Sequence, residues 1–187
     1  MRTIPLLLCL LASPVIAQDR AGNDTAGEWR FDHHKAFGLW DSMCDWRETD
    51  GITERRCYLR YVDVFSPRPK FAAVFTFITP EPQGYKIEFG IEPNTLYKKG
   101  GFRIDAGDTT TWQLDDINCT RIATCTWTGN AADTFIAALA APSDDPTVLV
   151  QDFFDRHGQE QLLKWDLTPF AAALADFNAQ VGERGLR

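Results

Sequence analysis

The sequence predicts a mainly β protein, an antiparallel β-sandwich of immunoglobulin-like layers with a short helix before the last hairpin and a C-terminal helix. Three observations carry this expectation. Apolar and polar residues alternate in twos through most of the stretch from Phe37 to Trp127. Gly, Pro, Asn and Asp interrupt the alternation at roughly the 8–12-residue spacing of sandwich strands. Helical patterning enters late, in two alanine-rich segments.

In "FGLWDSMCDW", Trp40, Ser42, Cys44 and Trp46 fall on one face of a strand. In "RRCYLRYVDVF", Cys57, Leu59 and Tyr61 oppose Tyr58, Arg60 and Val62. "KFAAVFTFIT" carries Phe71, Ala73, Phe75 and Phe77 on one side and Val74 and Ile78 on the other, which suits a central strand covered on both faces. "GYKIEFGIE" places Tyr85, Ile87, Phe89 and Ile91 inward and Lys86, Glu88 and Glu92 outward. "GGFRIDAGD", "TTTWQLDD" and "ATCTWTG" read as three short strands. "NAADTFIAALAAPSDDP" suits a helix that stops before Pro142. "TVLVQDFF" and "QLLKWDL" form the last hairpin, joined by "DRHGQE" with Gly158 in the loop. In the final helix Thr168 is expected to cap, Pro169 to open and Gly182 to close, with Phe170, Leu174 and Phe177 on one apolar stripe.

The first residues order themselves as a secretory signal. Arg2 precedes an apolar run from Ile4 to Ala12, and Val15 and Ala17 provide small residues for cleavage after Ala17. That run is far shorter than the roughly 20 residues of a transmembrane helix, and no later segment is long enough. The expected layout is a signal peptide over 1–17, a flexible polar leader over 18–36 and a single β-sandwich domain over 37–187, with order beginning near Trp29 or Phe37. The formal charge of −7 argues against nucleic acid as a partner, because an acidic chain gains nothing from counterion release. It also disfavours anionic membrane surfaces.

Of the five cysteines, Cys9 lies in the signal, which leaves Cys44, Cys57, Cys119 and Cys125. An even number in an exported chain reads as two disulfides. Three connectivities are open, and local pairing of Cys44 with Cys57 and of Cys119 with Cys125 is the simplest. Neither spacing is that of a structural zinc site, and no redox C-x-x-C occurs.

No nucleophile elbow, zinc-protease helix or phosphate-binding loop is present, so no catalytic residue, metal or cofactor is expected. "FDHHK" sets Asp32, His33 and His34 side by side, but neighbours on a strand point opposite ways, so they read as exposed polar residues. His157 lies with Asp155 in the last hairpin loop and reads as solvated. "KKGGFR" is the candidate binding surface: Lys98, Lys99, Gly100, Gly101 and Arg103 form a basic, glycine-rich turn that can hold an anion through backbone N–H groups, or is simply a solvated hairpin turn. The acidic pairs Asp105/Asp108, Asp115/Asp116 and Asp144/Asp145 lack calcium-loop spacing. Asn23 and Asn118 stand in glycosylation sequons, which matter only in a eukaryotic secretory pathway. The six tryptophans suit a sandwich core, with a sugar-stacking platform as the alternative.

The order of "FGLWDSMCDW", "RRCYLRY", "KIEFGIEPNTLYKKGGFRIDAGD", "CTRIATC" and "LLKWDLTPFAAALADF" resembles the invasion-associated locus B family of bacterial envelope proteins, from about Phe37 to Phe177. The resemblance implies a small exported β-sandwich with local disulfides and supplies no catalytic residues. The family is named for host-cell entry, though similar proteins occur in bacteria that do not invade. Two departures are visible: Thr124 precedes Cys125 where the family has glycine, and Pro169-Phe170 replaces a closing Gly-Phe turn.

The expected function is that of a non-enzymatic periplasmic protein, surface-associated or secreted in some settings. It would bind an envelope protein, glycan or lipid, support envelope integrity or take part in host-cell interaction. A carbohydrate- or lipid-binding module using exposed tryptophans is one alternative. An envelope hydrolase using paired carboxylates is the other, and it needs two carboxyl groups facing one pocket.

Overall fold

The structure, a computed structural model, describes residues 28–66, 72–91, 93–114 and 124–187. Among them the chain runs through β1 (Arg30–Phe37), β2 (Trp40–Thr49), β3 (Ile52–Ser66), β4 (Ala72–Pro80), β5 (Tyr85–Ile91), β6 (Leu96–Ala106), β7 (Thr109–Gln113) and β8 (Thr124–Trp127). Then follow α1 (Gly129–Ala140), β9 (Thr147–Phe154), β10 (Glu160–Asp166) and α2 (Phe170–Glu183). The strands form two antiparallel sheets, one ordered β1-β2-β3-β4-β5-β8 and the other β10-β9-β6-β7.

The period-two pattern fixes which face is buried. Across the larger sheet the register sets Ser42 opposite Leu59, Cys44 opposite Cys57, and Leu59 opposite Ile78. Ile78 in turn faces Ile87, Ile87 faces Trp127, and Phe89 faces Cys125. Facing them in the smaller sheet are Tyr97, Phe102, Ile104, Leu149 and Phe153, all buried. The aromatic rings interlock between the layers, with Phe89 stacked on Phe102 at 4.6 Å and Phe135 of α1 tilted against Trp112 at 4.8 Å. The expected central strand is β4, between β3 and β5. Its Val74, Thr76 and Ile78 face the core, while Phe75 and Phe77 lie half-buried on the outer face. The side chains of Phe71, Ile91 and Glu92 lie outside the description.

One polar chain crosses this core. The Tyr97 hydroxyl donates to Gln151 Oε1, and Gln151 Nε2 donates to the Tyr61 hydroxyl, so β6, β9 and β3 are joined through three buried residues. Burial raises both tyrosine pKa values well above the ordinary phenol range, which keeps both hydroxyls protonated, Tyr97 as the donor and Tyr61 as the acceptor of this chain.

Helix α2 packs against β1, β2 and β3, with Phe170 against Trp40 at 4.8 Å and Ala173, Phe177 and Val181 buried. Its ends differ from the sequence expectation. Thr168 does not cap it: the Thr168 hydroxyl and amide both donate to Asp166 Oδ1, and Pro169 occupies the N-cap position. Gly182 does not close it either. The chain turns at Gly185, whose φ is +63°, with Gly185 N–H bonded to Gly182 O and Leu186 N–H to Val181 O. That double bond set is a Schellman closure, and it needs a left-handed residue at Gly185 rather than at Gly182.

A second correction concerns the leader. Residues 30–36, expected to be flexible, belong to β1, an edge strand paired with β2 from Arg30 opposite Trp46 to Phe37 opposite Trp40. Its residues are mostly polar, so it carries no apolar alternation to betray it. Backbone pairing and ion pairs to α2 hold it instead. The proposed signal peptide lies outside the described residues.

Candidate functional site

"KKGGFR" is not a turn between strands. It lies within β6, at an irregularity between Tyr97 and Phe102 in the pairing with β9. Gly100 adopts φ +66° there, and a β-carbon on Gly101 would stand 2.2 Å from the Asp152 carbonyl oxygen. Both glycines therefore let β6 bulge while staying against β9. The cations are taken up locally. Lys98 Nζ lies 2.8 Å from Asp152 Oδ1 and also donates to Glu160, and these hydrogen bonds hold its ammonium above the ordinary value. Arg103 Nε reaches both Asp105 oxygens at 3.1 and 2.9 Å, and its Nη1 donates to Gly100 O. Asp105 also accepts from Thr110. Of the basic residues in this stretch, Lys99 remains exposed.

The histidines also have partners. His33 Nε2 donates to Asp176 Oδ2 at 2.8 Å, and Lys35 Nζ approaches Asp176 Oδ1 at 3.4 Å. Arg184 of the same helix reaches Asp32 at 3.2 Å. Asp176, Gln180 and Arg184, four residues apart, thus form a polar stripe of α2 that meets β1. Burial pushes the Asp176 carboxyl up, but the His33 and Lys35 contacts outweigh it and hold the group below the ordinary carboxylate range. His34, on the other face, bonds Asp41 at 2.9 Å. Asp155 organises the last loop, accepting from the amides of His157 and Gln159 and from the Gln161 side chain.

A site that the sequence reading missed lies at the β2–β3 hairpin. Asp50 and Gly51 both have positive φ, 54° and 77°, the signature of a tight two-residue hairpin turn. Beyond the Cys44–Cys57 pair β4 no longer borders β3, which it joins only from Leu59 onward, and β1 borders β2 only as far as Trp46, so β2 and β3 run on as a hairpin arm that is two-stranded past Trp46 and Arg55. The disulfide, with Cα atoms 4.1 Å apart, staples the arm at its base. On one face Trp29 lies beneath two guanidinium groups, Arg56 at 3.7 Å and Arg47 at 4.6 Å. Both are neutralised: Arg56 Nε and Nη2 donate to the two Asp45 oxygens at 2.6 and 3.0 Å, and Arg47 pairs with Glu54. Asp45 is 2 % exposed and also accepts from Tyr58, so this face is a closed structural cluster.

The opposite face differs. There Arg30 of β1, Trp46 of β2 and Arg55 of β3 stand in one row, in register across three strands. Arg30 lies 5.4 Å from the Trp46 ring centre. No carboxylate among the described residues pairs with either arginine. Asp50-Gly51, midway between the two cysteines, is the sequence signal that would have found this hairpin.

The tryptophans divide accordingly. Trp40 and Trp127 are buried, Trp112 and Trp165 pack half-buried against the core, and Trp29 and Trp46 lie with arginines on the arm. Cys125 is disulfide-bonded, while Cys119 and both sequons lie outside the described residues. An open cleft of about 260 Å³ between the end of α1 and the start of α2 is lined by Leu139, Pro142, Leu167 and Ala171, and Asp145 is the one carboxylate among its lining residues. Among the described residues no group of three or more metal-ligating side chains converges, and no helix is long and apolar enough to cross a membrane. Comparisons with family models, with characterised proteins and with solved structures find no match to this chain.

Proposed function

We propose that the protein is an exported envelope protein of the bacterial periplasm that works without catalysis, binding another envelope component through the β2–β3 arm. The observation that carries this reading is the Cys44–Cys57 bond at the base of the arm. A cross-strand disulfide persists in an oxidising compartment, and here its two buried half-cystines tie the base of the hairpin to the edge of the core. Cys125, also oxidised, points the same way. The signal-like N-terminus and the resemblance to the invasion-associated locus B family support export. They leave envelope maintenance and host contact as the settings in which the binding would matter.

The contact surface moves from "KKGGFR" to the arm because Lys98 and Arg103 already hold carboxylates. Releasing them for a partner would cost the internal pairs. The test is photo-crosslinking in living cells from a probe at Thr53 on the arm, with a probe at Lys99 as comparison, followed by fractionation and mass spectrometry. The reading expects a discrete envelope adduct from Thr53. Recovery of the protein in the cytosol, or equal adducts from both positions, would refute it.

A further inference from the structure

We infer that the Arg30–Trp46–Arg55 row is a binding platform for an acidic saccharide of the uronate type. This rests on the envelope-binding reading and names the class of partner for the same arm.

Adjacent strands lie about 4.8 Å apart, so the two arginine positions stand about 10 Å apart with the indole between them. An indole takes the apolar face of a pyranose ring. A guanidinium matches the planar carboxylate as a two-pronged donor. A chain of uronate rings offers both features together, a ring to stack and carboxylates to either side. An acidic peptide fits less well, because it sets no flat apolar ring face against the indole between its carboxylates.

The charges set this row apart from its neighbours in the larger sheet. In a chain of formal charge −7, basic side chains of the sheets such as Lys35, Arg47, Arg56, Arg60 and Lys86 have carboxylate partners. Arg30 and Arg55 have none among the described residues, and Arg55 is exposed. The contrast with the Trp29 face of the same arm is direct. There two arginines also meet a tryptophan, but Asp45 and Glu54 already neutralise them. One face is closed by its own carboxylates; on the other, Arg30 packs over the Trp46 ring and no carboxylate among the described residues pairs with it or with Arg55. The disulfide sits on the same face, one cross-strand pair from Trp46 and Arg55, so the row is held in place before a ligand arrives.

The experiment is calorimetric titration of the purified oxidised protein with tetragalacturonate, with maltotetraose and tetraglutamate as comparators. Trp46 is followed in parallel through its indole N–H resonance. The platform predicts saturable binding of tetragalacturonate, movement of the Trp46 signal, and at least a tenfold loss of affinity in R30Q/R55Q with no loss in K99Q. Unfolding midpoints of the variants establish that they remain folded, and W46F, which keeps an aromatic ring, provides a second probe with a smaller loss. Absence of tetragalacturonate binding, undiminished binding in R30Q/R55Q, or equally tight binding of tetraglutamate would overturn the inference. Because the titration uses purified protein, its failure is separate from that of the in-cell crosslinking. An envelope adduct without tetragalacturonate binding leaves the broader reading intact and removes the saccharide.

Discussion

Gly101 and Gly90 both leave out a β-carbon, for different neighbours. At Gly101 that atom would lie 2.2 Å from the Asp152 carbonyl oxygen, part of a paired strand that has nowhere to go. At Gly90 it would lie 2.0 Å from Phe75 Cζ, the far end of a half-buried ring that can swing outward. Gly101→Ala should therefore cost more than Gly90→Ala, with the latter near the 1–3 kcal/mol typical of overpacking; urea unfolding of the two variants gives the order directly. Two carboxylates make stability depend on pH. Burial pushes Asp155 up, but the amides of Gln159 and His157 and the side chain of Gln161 bring it below the ordinary value, and Asp176 is lowered against burial by His33. A lowered folded-state pKa gives stability that is complete above the unfolded value of 3.8 and lost as pH falls through the folded one. Stability should thus decline on acidification below about pH 5, and an Asp155→Asn/Asp176→Asn protein should show a flatter acid limb in urea midpoints. An unchanged slope would mean that neither group is held in its charged form by the fold.

The elements that the sequence disclosed are those with one face in the core. β2, β4 and β5 could be read because Trp40, Ile78 and Phe89 recur at a period of two and are all buried. β1 could not, since its residues are mostly polar and are held by backbone pairing with β2 and, for Asp32, His33 and Lys35, by Asp176 and Arg184 of the distant helix α2. Gly100-Gly101 looked like a turn because a bulge and a turn ask the same conformational freedom of glycine. The arm combines both lessons. Its cysteines were visible, but the row of Arg30, Trp46 and Arg55 exists only once the register of three strands is known. The staple itself is testable: closing a loop with a sequence separation of 13 residues is worth about 3 kcal/mol in the chain-entropy model. C44S/C57S should lose about that much, and hydrogen exchange should rise first in residues 45–56. Uniform acceleration across both sheets would instead show that the bond holds the whole sandwich and not the arm in particular.

At the scale of the molecule, two layers are joined by aromatic packing and by the Tyr61–Gln151–Tyr97 chain, which crosses from one sheet to the other. Gln151→Leu removes one partner from each of two buried hydroxyls, so a loss of about 2–4 kcal/mol is expected in urea unfolding. Replacing all three residues with apolar ones should cost less than that single change, since no buried hydroxyl is then left alone. α2 completes the core over β1–β3, so the body of the protein is closed while the arm extends from it. The proposed function requires an oxidising compartment in which the stapled arm is presented. Non-reducing peptide mapping of the protein recovered from cell fractions, with free thiols alkylated, is the measurement to make first. A Cys44–Cys57 linked peptide is expected in the envelope fraction. Alkylated Cys44 and Cys57 in a cytosolic pool would contradict it.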